Sequence, residues 1–98
     1  MKQYYFWHWD ESRGDEFDHW GTSDWYFEIR EDGYVSRQMV IFYSGDALMY
    51  SEEHIEDKYG MLSEGKFELL GEGEKEISES EFQGVLESTK FNNLKNVT

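Results

Sequence analysis

Apolar and polar positions along Trp25 to Tyr50, WYFEIREDGYVSRQMVIFYSGDALMY, have the spacing of three strands joined by two tight turns. Trp25, Phe27 and Ile29 alternate with Tyr26, Glu28 and Arg30, the period of a half-buried strand. Glu31-Asp32-Gly33 then breaks the run, and Gly33 can take the positive φ that a hairpin turn needs. Val35 to Tyr43 is rich in β-branched and aromatic residues, as strands are. Ser44-Gly45-Asp46 is a second turn, and Ala47 to Tyr50 a short return strand. The register of the middle strand stays open, because Met39 and Ile41 compete with Val40 and Phe42 for the core face. A bulge near Arg37-Gln38 would resolve it.

The flanking segments extend this meander. Lys2 to Trp9 predicts a strand with Tyr4, Phe6 and His8 on one face and Tyr5, Trp7 and Trp9 on the other. Aromatic residues on both faces place it centrally or under cover on both sides. Asp10 to Asp24 has no apolar period and is expected to be a loop, with Phe17 and Trp20 either pinning it or facing a partner. Ser51 to Gly60 reads as a short helical turn or a loop leaving the sheet edge, after which Met61 and Leu62 return to the core. Ser63 to Lys75 mixes acids with glycines and offers Phe67, Leu69 and Leu70 as anchors. Ile77 to Lys90 predicts a helix: Ser78 as N-cap with Glu81 at N3, Ile77 and Phe82 as a hydrophobic staple, and Phe82, Val85 and Leu86 as one apolar stripe. Gly84 weakens this helix, and Lys90 suits the negative end of its dipole. The expected fold is therefore α+β, an antiparallel sheet of about four or five strands. Its meander core is 25–50, and a C-terminal helix over about 79–90 packs on one face. Residues 1–90 make one domain, and the polar tail 91–98 frays.

Charge changes the picture more than composition does. Twenty-two acids against nine bases give a formal charge of −13. Such a surface repels nucleic acid and anionic membranes and attracts basic proteins, although acids also serve solubility alone. The chain has no cysteine, so it has neither a disulfide frame nor a thiolate site. Met1 to Ser12 lacks the form of a signal peptide, and no stretch has the length of a membrane span, which points to the cytoplasm.

No residue pattern points to catalysis. No serine has a His and an acid in a known order beside it. His54 and Lys58 are four residues apart with no nucleophile nearby. His8 reads as a hydrogen-bonded structural histidine. Asp15, Glu16, Asp18 and His19 do not have the spacing of an EF-hand. GEGEKE is no phosphate loop. Arg30 and Arg37 are expected to pair across strands with Glu28 or another acid. The chain is thus expected to be no enzyme and to need no cofactor or metal.

Five segments carry a resemblance: Trp25 to Ile29, Arg37 to Phe42, Tyr50 to Glu53, Tyr59 to Ser63, and Ile77 to Phe82. Together they resemble a family of small acidic bacterial proteins of unknown function. The likeness covers about two-thirds of the chain, and its motifs are structural, so it speaks to fold more than to activity. The chain departs from the pattern in having Gly45-Asp46 where an Asp-Gly turn is usual, and in its aromatic N-terminus. Members resemble proteins encoded beside contact-dependent or polymorphic toxins, which implies an immunity role. The expected function is an immunity-type inhibitor that neutralises a basic protein toxin, a nuclease domain, without touching nucleic acid or membrane itself. Its contact residues are expected to be Asp10, Glu11, Asp15, Glu16, Asp18, Trp20, Glu52, Glu53, Glu56 and Asp57. Two alternatives from other classes are an acidic nucleic-acid mimic that blocks a host defence enzyme, and a small ligand-binding domain.

Overall fold

The computed structural model describes residues 2–68 and 73–94; the expected anchors Leu69 and Leu70 and residues 95–98 of the tail lie outside these. Among the described residues the chain forms β1 (Gln3–Trp9), β2 (Ser23–Ile29), β3 (Val35–Phe42), β4 (Ala47–Ser51), β5 (Glu56–Asp57), β6 (Gly60–Met61), β7 (Lys75–Ile77) and the helix α1 (Glu79–Ser88). A 3-10 turn at Asp18–Trp20 lies between β1 and β2. The architecture is the expected α+β one. Five antiparallel strands run in the order β4-β3-β2-β1-β7, and α1 packs on one face. A separate hairpin, β5-β6, replaces the helical turn or loop expected over 51–60.

The sequence pattern does not mark β7, whose three residues Lys75-Glu76-Ile77 include one apolar side chain. A short charged strand suits a sheet edge, because its charges discourage a further strand from adding. With β7 in place, β1 has a neighbour on each side, so the doubly aromatic strand is an interior one.

The register settles at Ser36. Glu28 faces Arg37 and Ile29 faces Val35, so Ser36 is the extra residue of a bulge just before the expected position. Beyond it Met39 and Ile41 turn toward the helix, and Val40 and Phe42 toward the opposite side. The two pairs do not compete, because both faces of the sheet are covered. The turns are built as their residues predict: Gly33 and Gly45 sit at φ +91° and +97°, and their amides donate to Arg30 O and Phe42 O, each at 2.9 Å.

On the helix side, Tyr4, Met39, Ala47 and Met49 bury against Phe82, with Ile77, Val85 and Leu86 around them. Phe82 is fully buried, and its ring lies 5.1 Å from that of Tyr4. Ser78 Oγ accepts from the Glu81 amide at 3.1 Å, which is the expected N-cap. The helix ends at Ser88, short of Lys90, because Thr89 is already extended. No helix among the described residues is long and apolar enough to cross a membrane.

The tail departs from the expectation of fraying from Phe91 onward. Phe91 is 8% exposed and belongs to the helix-side core. Next to it, Asn92 and Asn93 close the open edge of β4 with their side-chain amides. Ala47 N donates to Asn92 Oδ1 at 3.2 Å, and Met49 N to Asn93 Oδ1 at 2.9 Å. Asn93 Nδ2 donates back to Met49 O at 2.8 Å. A primary amide offers the same donor and acceptor as a peptide group, and the Asn92 backbone amide adds a bond to Ala47 O at 2.7 Å, so these two residues do here what a sixth strand would do.

Two variants test this account. Gly84→Ala is expected to raise stability by about 1 kcal/mol, since the new methyl meets nothing within 4 Å and alanine is the better helix former, read as a higher Tm in thermal denaturation. Asn93→Ala is expected to cost about 1–2 kcal/mol and to accelerate hydrogen exchange at the Met49 amide, while amides of the β1–β2 ladder keep their protection.

Candidate functional site

The face of the sheet away from the helix is covered by the 10–22 loop and the β5-β6 hairpin, and the acids of the loop are what fold it. Asp15 takes two bonds from Arg13, Nε at 3.0 Å and Nη2 at 2.8 Å, and one from the Phe17 amide at 2.8 Å. Asp18 accepts from the Gly14 amide at 2.7 Å. These bonds, led by the Arg13 side chain for Asp15, hold the Asp15 carboxyl below its ordinary pKa range. The chain then turns through Asp18–Trp20 and drops the Trp20 indole into the core, 5.0 Å from the Phe42 ring.

Loop and hairpin are fastened to each other. Arg13 Nη2 donates to Tyr59 O at 2.6 Å, and the Phe17 and Tyr59 rings lie 5.1 Å apart. Asp57 in turn anchors the hairpin. It accepts from Tyr50 Oη at 2.8 Å, His54 Nε2 at 2.7 Å, the Tyr59 amide at 2.9 Å and Asn93 Nδ2 at 2.9 Å. An ionised carboxylate can only accept, so His54 donates through Nε2–H. Burial works to raise the Asp57 pKa, but the bonds from His54, Asn93, Tyr50 and the Tyr59 amide prevail and hold it down at about 2.

Between loop, hairpin and sheet lies a half-open cleft of about 330 Å³, with Trp9, Trp25, Val40 and Met61 among its walls and Arg13 and Asp15 at its mouth. Gln38 in its floor is buried and committed: Nε2 donates to Met61 O at 3.2 Å, and Oε1 accepts from Ser63 Oγ at 2.7 Å. Met61, expected in the core, is 44% exposed here, while Leu62 is buried. The two side chains alternate across the short strand, so only one can face the sheet.

The ten candidate contact residues are not equivalent. Asp10, Glu11, Glu16 and Glu56 are exposed, and the Asp10 carboxylate lies 3.7 Å from His8, which shares the helix-side face of β1 with Tyr4. Asp15 and Asp18 are exposed but hold the loop together. Glu52 pairs with Arg30 at 2.7 Å, and with Glu53 it borders a small hollow beside Ser36 and Arg37, away from the cleft. Trp20 is core, and Asp57 is the hub of the hairpin. The sequence did not single out Arg13, Tyr59, Trp9, Trp25 and Met61 as members of one site. A signal existed only for Arg13, the one Lys or Arg in Asp10 to Asp24.

The helix face holds a second multiply bonded carboxylate, this one buried. Glu28, 1% exposed, accepts from Arg37 Nη2 at 2.6 Å, Ser36 Oγ at 2.7 Å and Tyr4 Oη at 3.2 Å. Burial again opposes ionisation, yet Arg37 and Ser36 hold Glu28 at about 2, while burial and the nearby Glu28 push Tyr4 up to about 12. Arg37 thus pairs across strands with Glu28 as expected, whereas Arg30 pairs with Asp32 two residues on in the turn and with Glu52 beyond the end of β4. His8 Nδ1 lies 2.7 Å from Asp24, a bond that raises its pKa. Among the described residues, no group of three or more His, Asp and Glu side chains is placed to hold a metal ion, and no buried side-chain polar atom lacks a partner. Comparison with protein-family models, curated proteins and solved structures finds no match for this chain.

The depressed carboxyls set an acid limit. Their folded pKa values lie below the unfolded ones near 4, so they bind fewer protons when folded, and their stabilisation is complete above the unfolded values and lost as pH falls toward 2. Urea midpoints are expected to hold steady from pH 7 to 5 and fall below pH 4.5. Asp57→Asn is expected to be less stable at pH 7 by on the order of 2 kcal/mol, with a shallower acid decline.

Proposed function

We propose that the protein is an immunity-type inhibitor that binds a basic toxin domain of nuclease type and acts by occupying its surface, with no chemical step of its own. The observation that carries this reading is the folded acidic loop: Asp10, Glu11 and Glu16 stand exposed on a segment that Arg13, Phe17 and Trp20 fix to the β5-β6 hairpin, beside Glu56. A pre-ordered charged surface loses little conformational freedom on binding. Its field speeds capture of a cationic partner and disfavours nucleic acid, which the same field repels. Inhibition of this kind works where toxin and inhibitor meet in the cytoplasm of the producing bacterium.

The division of labour among the acids sets the test. Neutralising Asp15 or Asp18 would unfold the loop as well as remove charge, so the informative variant is Asp10→Asn, Glu11→Gln, Glu16→Gln and Glu56→Gln combined. Against the toxin encoded beside its own reading frame, this variant is expected to associate about ten- to a hundredfold more slowly at low ionic strength, with a much smaller change in dissociation rate, and the difference is expected to shrink in high salt. Surface plasmon resonance reads both rates. An unchanged association rate, or a neighbouring gene product that the wild-type protein neither binds nor neutralises, would refute the proposal.

A further inference from the structure

We infer that the cleft between the 10–22 loop and the β5-β6 hairpin is a socket for one large apolar side chain carried on a cationic protein surface. This rests on the acidic surface being a binding face for a basic protein, and it adds where the anchor of that complex sits.

The walls of the cleft are suited to shape-filling contact. Trp9, Trp25 and Val40 form an apolar lining, and Met61 projects at the edge with 44% of its surface exposed. On the same hairpin Ile55 is 54% exposed. Several polar groups of the cleft are already engaged. Gln38 bonds to Met61 O and to Ser63, Arg13 to Asp15 and Tyr59 O, and the Trp25 indole N–H to Ser23 Oγ at 2.9 Å. Little remains to orient a polar small molecule, whereas small-molecule sites pair apolar walls with a few placed polar groups. At about 330 Å³ the space admits one aromatic or long aliphatic side chain.

The charge around the mouth selects the bearer of that side chain. The Arg13–Asp15 ion pair in the lining carries no net charge, so the local field comes from Glu56, the exposed strand partner of Met61, within a chain of formal charge −13. An apolar centre whose surroundings exclude water is the layout of a binding hot spot. A second copy of this chain fits poorly, since it would bring another −13 against the same acids. A lysine- or arginine-bearing segment fits both the acidic field and, through its apolar residue, the socket.

Two blocked pentapeptides, Lys-Lys-Phe-Lys-Lys and Lys-Lys-Ser-Lys-Lys, separate these terms when titrated into the ¹⁵N-labelled full chain at low salt. Both are expected to bind through charge, and the phenylalanine peptide about tenfold more tightly. The Trp9 and Trp25 indole resonances are expected to shift with the phenylalanine peptide alone. Met61→Glu, which places a carboxylate at the edge of the socket, is expected to bring the phenylalanine peptide down to the affinity of the serine peptide. Equal affinities, with shifts confined to the exposed acids, would overturn the socket and leave the basic-partner reading standing. Failure of both peptides to bind would overturn both. Binding of the neutral dye Nile red in the cleft without either peptide would reassign it to a small apolar ligand, and a wild-type dimer that Met61→Glu dissolves would reassign it to self-association.

Discussion

The Asp57 carboxylate joins parts of the chain that the sheet ladder does not. The β5-β6 hairpin has just two residue pairs, Glu56 with Met61 and Asp57 with Gly60, too few to hold themselves in water. Asp57 ties this hairpin to β4 through Tyr50, to the preceding bend through His54, and to the C-terminal strap through Asn93. Tyr59, which the same carboxylate positions through its amide, receives Arg13 and Phe17 from the acidic loop. The loop, hairpin and strap that cover the sheet therefore share a single anionic centre. The carboxylate accepts four bonds, so the loss of one donor weakens a shared network and its effect spreads beyond one bond.

A formal charge of −13 suggests a uniform acidic coat, but the carboxylates do different work, and some, such as Glu52 and Asp32 on Arg30, are held in exposed ion pairs. Glu28, buried, and Asp57, half-buried, each accept several bonds and organise the two faces of the sheet. Asp15 and Asp18 fold a glycine-containing loop by accepting backbone amides. A remaining group stands in water and generates the field. Only the last group is spare for recognition. Cationic groups are correspondingly committed: Arg13, Arg30 and Arg37 each hold a carboxylate at 2.8 Å or less.

What the sequence made legible follows from which forces are local. The β2-β3-β4 meander and the start of α1 rest on alternation, turn glycines and a capping serine, all readable within a few residues. β7 and the 92–93 strap are set by what lies next to them in space, and neither Lys75-Glu76-Ile77 nor Asn92-Asn93 carries an apolar period. The candidate site was legible as a charge distribution and not as a place. Asp57 and Trp20 look like surface residues in a polar loop until Tyr50, His54 and Phe42 arrive from elsewhere in the chain. The apolar cleft was hidden for the same reason. Trp9, Trp25 and Met61 come from three separated elements, and only the docking of loop on hairpin encloses a space among them.

The way β4 is closed has a chemical consequence. At Met49 its edge is sealed by the nitrogen and oxygen of a primary amide, that of Asn93, one atom away from a carboxylate. Hydrolysis of Asn93 to aspartate would leave the Met49 carbonyl facing an acceptor instead of a donor, and would set a second negative charge against Asp57 at the former 2.9 Å contact. The seal would turn into a repulsion without any change in side-chain size. Chemical ageing of one amide thus bears directly on whether the sheet keeps its edge closed.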